Sequence, residues 1–243
     1  MQGIKVIDAD ARSLPIEDSS VDLIITDPPY EATSWTAYSS DPKSSVSNYS
    51  SIEEYEKSIV DSFKEMTRVL KENGSIFFVT GWSLIPGPFS IGTSHLSIVE
   101  KVVKECGLKL RSSIIWKNGH TPDLESTDGI IKNNTQTIYH LSKNYDIKYV
   151  PYYFSKYNYP IWECPMEYQE EFGQHPVWML PDELCSRLIK MYTVLGDTVL
   201  DPFGGAGTVA IVAKNLGRTG ISIDCIPEQN EIARKRSSVS YIV

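Results

Sequence analysis

Two apolar runs near opposite ends of the chain each break into proline or glycine beside an aspartate. The first is Val21-Asp22-Leu23-Ile24-Ile25-Thr26-Asp27-Pro28-Pro29-Tyr30, and the second is Thr198-Val199-Leu200-Asp201-Pro202-Phe203-Gly204-Gly205-Ala206-Gly207-Thr208. Continuous apolar runs of this length read as parallel strands covered on both faces, and ligand sites in such sheets form where strands end. Helical and strand patterns alternate between and after the two runs, which predicts an α/β fold: a wound, mostly parallel sheet with right-handed crossovers and helices on both faces.

The local signals are specific in places. Ser51 precedes Glu54 by three residues, and Ile52, Tyr55, Ile59, Phe63, Met66 and Leu70 share one face, so a helix is expected over 52–71, stopped by Asn73-Gly74. A strand follows at 75–80, then a helix at 96–106 ended by Gly107. Strands are expected at 108–116, 135–141 and 147–151, and a further helix is opened by Pro181 and closed by Gly196. The last unit is strand 198–201, helix 207–216, strand 219–224 and helix 228–236. Residues 31–50 carry many Ser and Thr and no apolar period, and are expected to form a mobile loop directly after Tyr30.

A chain of 243 residues with 41% hydrophobic residues buries a full core without disulfide or metal staples. No apolar run approaches the ~20 residues of a membrane helix, and no secretion signal is read at the start, so a cytosolic protein with no membrane partner is expected. Cys106, Cys164, Cys185 and Cys225 lie far apart without a C-x-x-C pair, which favours free thiols over a zinc site or a disulfide framework. The net charge of −8 argues against holding nucleic acid through a broad positive surface.

The glycine segment sits between a strand and a helix, where glycines let a ligand approach the backbone and a helix N-terminus. No Lys follows Gly207, so it is not a phosphate loop of the Walker type, and the spacing G-x-G-x-x-G of dinucleotide sites is absent. Asp224 ends the following strand, where a carboxylate can accept from a ribose diol. A nucleoside-type ligand fits this pattern better than a pyrophosphate. A plain βα turn with Asp224 capping the last helix is the bland alternative.

At the other motif, two prolines fix φ and remove two N–H donors, leaving local carbonyls free to accept. Asp27 and the Pro28 carbonyl could take both hydrogens of a planar amino group, while Tyr30 offers a ring face for stacking a base.

Together the two motifs resemble the S-adenosylmethionine-dependent amino-methyltransferases of DNA, the N6-adenine and N4-cytosine enzymes. The tetrad D/N/S-P-P-Y/F/W is their catalytic motif, which the resemblance maps onto Asp27, Pro28, Pro29 and Tyr30; D-P-F-x-G-x-G-T is their cofactor motif, mapping onto Asp201, Phe203, Gly204, Gly205, Gly207 and Thr208. Because the tetrad comes first, the circularly permuted motif order resembles the β group, within a Rossmann-like class I methyltransferase fold. Asp10, in Asp8-Ala9-Asp10-Ala11, resembles the acid that contacts the cofactor adenine. Similar family segments are Met66 to Gly74, Ile114-Ile115-Trp116-Lys117, Gly217-Arg218 through Asp224, and Glu231-Ile232-Ala233. On this resemblance 1–117 and 173–243 together form one catalytic and cofactor-binding domain, and 118–172 is an inserted target-recognition region. One departure stands out: the family's His-Pro-Thr-Gln-Lys-Pro is replaced by His175-Pro176-Val177-Trp178-Met179-Leu180-Pro181, without the Lys.

The implied reaction is methyl transfer from S-adenosylmethionine to an exocyclic amino group of double-stranded DNA, the target base being flipped out of the duplex onto Tyr30. Asp27 in first place points to adenine N6, since cytosine N4 members mostly carry Ser there. Cytosine N4 stays open, as does a cofactor-binding subunit that needs a partner chain. RNA and protein-glutamine methyltransferases usually carry Asn first and the opposite motif order. Dimerisation is frequent in the β group, and a cognate restriction endonuclease is a further expected partner. For DNA contact, Trp35 and Tyr38 in loop 31–50 could close over the base. Residues 101–162 hold 9 basic against 5 acidic side chains, so Lys132, Lys143, Lys148 and Lys156 form a candidate phosphate-contacting patch, with a solvated strand face as the alternative.

Overall fold

Val21 to Thr26 is buried along its whole length, as an apolar strand with helices on both faces must be. The structure, a computed structural model, describes residues 3–28, 52–80, 95–119, 135–169 and 177–238. In chain order the elements are β1 (Ile4–Asp8), β2 (Val21–Thr26), α1 (Ile52–Val69), β3 (Leu70–Thr80), α2 (His95–Cys106), β4 (Lys109–Lys117), β5 (Thr135–Ser142), α3 (Pro151–Tyr157), β6 (Ile161–Glu163), β7 (Glu167–Gln169), β8 (Val177–Met179), α4 (Asp182–Tyr192), β9 (Thr198–Asp201), α5 (Thr208–Asn215), β10 (Thr219–Asp224) and α6 (Pro227–Ser238).

Eight strands form one sheet in the order β1-β10-β9-β2-β3-β5-β4-β6, and β7 pairs with β8 apart from it. The first five run parallel, β5 is antiparallel to both its neighbours, and β6 is parallel to β4. Side-chain alternation sends Ile24, Ile76 and Phe78 to one face, under Ile59, Phe63 and Met66 of α1 and Val99 and Val102 of α2. Leu23, Ile25, Phe77 and Val79 go to the other, under Leu184 and Leu188 of α4 and Val209 and Val212 of α5. Each fully buried side chain of this size contributes about 1.5–3 kcal/mol, so the two clusters fix the sheet's register.

Several expectations are corrected. The helix predicted to 71 ends at Val69, and β3 starts at Leu70, with Lys71 to Gly74 bulging out of register with β2. The strand β1 was not expected; it is a short strand at the sheet's edge that pairs, among the described residues, with β10 alone. The strand expected at 147–151 is absent: the Lys148 and Val150 N–H groups donate to Asn73 O at 2.9 Å and Met191 O at 2.7 Å, outside any ladder, and Pro151 opens α3 instead.

Within 118–172, two strands join the main sheet. Residues 135–142 are β5, wedged between β3 and β4, and 161–163 are β6 on the sheet edge. Trp162 is fully buried in the second cluster, and Tyr153, Phe154 and Tyr157 of α3 pack against that cluster. These residues belong to the sheet's own core because β4 and β3 meet only through β5.

Candidate active site where the strand order reverses

The strand order reverses between β2 and β9. β2 leads through α1 to β3 on one side, β9 leads through α5 to β10 on the other, and the two strands are paired at Leu23–Val199 and Ile24–Leu200. Parallel sheets open a crevice at the carboxyl ends of such a pair. Asp27 follows β2 there and Asp201 ends β9, so the two sequence motifs meet. Both line one cleft with Phe203, the glycine loop and Thr208, while Met179 and Leu180 supply an apolar wall. Among the described residues lining the cleft none is basic.

The loop is built tightly. Asp201 Oδ1 accepts the Phe203 N–H at 3.1 Å, the Gly204 N–H donates to Ile223 O at 2.8 Å, and the Gly207 N–H donates to Gly204 O at 2.7 Å. Gly204 lies so close on β10 that a Cβ there would come within 2.0 Å of Ser222 Oγ. Gly205 and Gly207 have φ of +48° and +78°, which side chains rarely adopt, and α5 starts at Thr208.

Asp201 is 5% exposed, and burial pushes its carboxyl up to about 8, with Asp27 and Asp224 acting in the same direction and the Phe203 N–H opposing. Burial also raises Asp224, against backbone N–H donors from Ile226, Gly205 and Cys225. Its Oδ2 takes the Gly205 N–H and its Oδ1 the Ile226 N–H, each at 2.9 Å, so the residue expected to face a ribose also clamps the loop. Asp10 lies two residues beyond Asp8, which is in register with Asp224, and thus at the same end of the sheet. The Arg12 guanidinium forks onto the Asp10 carboxylate, at 2.9 Å from Nε and 2.5 Å from Nη2, and holds it below the usual carboxylate range.

The lysine patch is not assembled as expected. Lys143 donates to Leu70 O at 2.6 Å and pairs with Glu72 at 3.3 Å; Lys148 pairs with Asp197 at 2.5 Å and Asp22 at 3.4 Å. Asp22, Leu70 and Asp197 lie at the amino ends of parallel strands, opposite the cleft, so both ammonium groups are committed to carboxylates of the fold. Lys156 sits 5.3 Å from the Tyr157 ring centroid on α3. Pro29, Tyr30, Trp35, Tyr38, Lys132 and the pair His175-Pro176 lie outside the described residues, as does loop 31–50. All four cysteines are free thiols, with Cys164 and Cys185 buried. No helix among the described residues is long and apolar enough to cross a membrane.

Two residues absent from the sequence reading lie against the glycine loop. Among the described residues Gln229 Oε1 is buried without a partner, 4.0 Å from where a Cβ on Gly205 would stand. Arg236 reaches from α6 to the loop at Ala206 and Thr208. No local signal in the sequence marks Arg236, because its partners come from a loop about thirty residues away.

A wound sheet whose reversal point carries an acidic glycine cradle is the Rossmann-like fold of class I methyltransferases. A model of the family DNA methylase (N6_N4_Mtase) matches residues 21–235. The type II methyltransferase M.HpaI of Haemophilus parainfluenzae is 30% identical over 238 residues, covering 91% of this chain and 69% of that protein. M2.DpnII of Streptococcus pneumoniae is 29% identical over 242 residues, covering 91% and 84%. Among solved structures, the cytosine-N4-specific PvuII DNA methyltransferase superposes with a TM-score of 0.80 at 21% identity, over 100% of this chain and 89% of that one. The M1.HpyAVI–SAM complex gives 0.65 at 20% identity, over 97% and 100%. The chain belongs to the DNA methylase family of S-adenosylmethionine-dependent N6-adenine and N4-cytosine methyltransferases.

The residues present fit that cofactor. The carboxylates and the apolar wall among the described lining residues suit a sulfonium cation carrying an ammonium group better than a polyphosphate. Asp201, Asp224 and the loop from Phe203 to Thr208 would hold it, with Asp10 at the same end of the sheet; when bound it supplies an electrophilic methyl group.

Proposed function

We propose that this chain methylates the exocyclic N6 of adenine in double-stranded DNA. The observation that carries the reading is the meeting of Asp27 and the Asp201 glycine loop in one acidic cleft. Asp27 and the Pro28 carbonyl accept the two amino hydrogens, which favours a pyramidal nitrogen with its lone pair free for the methyl group. Positioning does most of the work, and no covalent nucleophile from the protein is used. A base paired in a duplex cannot reach such a cleft, so the adenine is flipped into it, with Tyr30 as its stacking platform. Asp27 as the first tetrad residue supports adenine. The type II methyltransferase relatives support a role beside a restriction endonuclease.

The test incubates the protein with double-stranded DNA and S-adenosylmethionine carrying a labelled methyl group, then digests the DNA and weighs the nucleosides. N6-methyl-2′-deoxyadenosine is expected, and N4-methyl-2′-deoxycytidine would overturn the choice of base. Asp27→Ala is expected to abolish transfer while cofactor binding persists; retained transfer would remove Asp27 from the mechanism.

A further inference from the structure

The glycine loop needs something to select its shape. Two of its residues hold positive φ, and glycines gain the most freedom when such a shape is released. From one side the Asp224 carboxylate holds the Gly205 N–H. From the other, α6 presses on the loop: a Cβ at Gly207 would stand 2.8 Å from that of Ala233. One helical turn on, Arg236 Nη1 donates to Ala206 O at 2.6 Å and to Thr208 Oγ1 at 2.9 Å. Arg236 is only 4% exposed. A guanidinium withdrawn from water this far is tolerated only where its partners offset the lost hydration.

The same charge reaches the opposite wall of the cleft. Burial raises the carboxyl of Asp182, in the first turn of α4, and Arg236 opposes that rise. Met179 and Leu180, just before this helix, line the cleft facing the loop. The guanidinium also lies at the first turn of α5, where the helix dipole opposes a positive charge, so its hydrogen bonds to the loop must offset that cost.

We propose that Arg236 is the positioning residue of the cofactor site, gripping the Ala206 carbonyl and the Thr208 hydroxyl so that the loop stays in its receiving shape. The residue touches no reacting atom and acts through the loop. This inference rests on the loop being the cofactor cradle.

The experiment compares wild type, Arg236→Lys, Arg236→Met and Thr208→Val by calorimetric binding of S-adenosylmethionine, by hydrogen exchange of the loop amides, and by thermal melting without cofactor. Arg236→Lys keeps the charge but shortens the reach; it should weaken binding about tenfold and Arg236→Met more, with faster exchange at 204–208 in both. Thr208→Val should weaken binding less, and combining it with Arg236→Lys should add little, because both remove one shared contact. If Arg236→Met does not fold, Arg236→Lys and Thr208→Val carry the comparison. Wild-type affinity and loop protection in Arg236→Lys would overturn the proposal, as would a lowered melting temperature with unchanged exchange at the loop. If the wild type binds no S-adenosylmethionine, the cofactor reading fails, and loop exchange in Arg236→Lys still decides the clamp.

Discussion

Asp224 Oδ2 accepts the Gly205 N–H at 2.9 Å while its Oδ1 accepts that of Ile226 at the same distance, so one carboxylate ties the glycine loop to the approach of α6. Asp224→Ala strands both amides. It should cost about 1–3 kcal/mol of unfolding free energy in a denaturant titration and weaken cofactor binding by more than about tenfold. Asp224→Asn, which keeps one acceptor oxygen, should fall between the two. Equal stability of all three proteins would show that the clamp has no energetic role.

Asp201 sets a pH dependence. Its folded value of about 8 stands above the ordinary 3.8, so between these values the folded chain keeps a proton that the unfolded chain has lost. This group therefore makes the protein less stable as pH rises through the window from roughly 4 to 8, and the effect levels off above it. A bound sulfonium cation favours the ionised carboxylate, so cofactor binding should release protons near neutrality and tighten as pH rises toward 8. Calorimetry in two buffers of different ionisation heat measures that release. It should vanish in Asp201→Asn, and an unchanged proton count there would clear Asp201 of the effect.

Lys148 should matter for folding and not for DNA. Its ammonium lies between Asp22, whose side chain is 4% exposed, and Asp197. Asp22 keeps Lys71 at 2.8 Å and the Thr198 N–H at 3.0 Å, so Lys148→Met should cost about 1–2 kcal/mol rather than the full penalty of an orphaned buried charge. The salt dependence of DNA binding should be unchanged. A shallower salt slope in this variant would return Lys148 to the phosphate-contacting surface.

Gly207→Ala meets two obstacles, the φ of +78° and the Ala233 Cβ at 2.8 Å. The substitution should cost more than about 1 kcal/mol. Adding Ala233→Gly should recover the steric part and leave the backbone part, which a double-mutant cycle separates by denaturant unfolding. Strict additivity of the two changes would deny the contact.

The two strand-end motifs were legible because their chemistry is local. Prolines after Asp27 and glycines after Asp201 announce strand ends wherever they occur, and a parallel sheet brings strand ends together. Pairing between distant segments is not local. Thr135 to Ser142 reads as a strand, yet nothing in it says that it slots between β3 and β4. Lys148 looks like a surface base until Asp22 and Asp197 are brought to it by the sheet. The alternation of Ile147, Tyr149 and Pro151 imitates a strand, although their segment spends its amides on Asn73 and Met191. Arg236 was invisible for the same reason, its partners Ala206 and Thr208 being supplied by the loop on which α6 packs.

The pairing of β2 with β9 has a cost during biosynthesis. β2 is made well before β9, so a growing chain carries the strand Val21–Thr26 with one ladder edge unfilled until Thr198–Asp201 has emerged. Such an edge is a template for pairing with other chains. Contacts of this sequence separation also close slowly. Yield in a host cell should therefore depend on translation speed and chaperone supply more than the stability of the finished sheet would suggest.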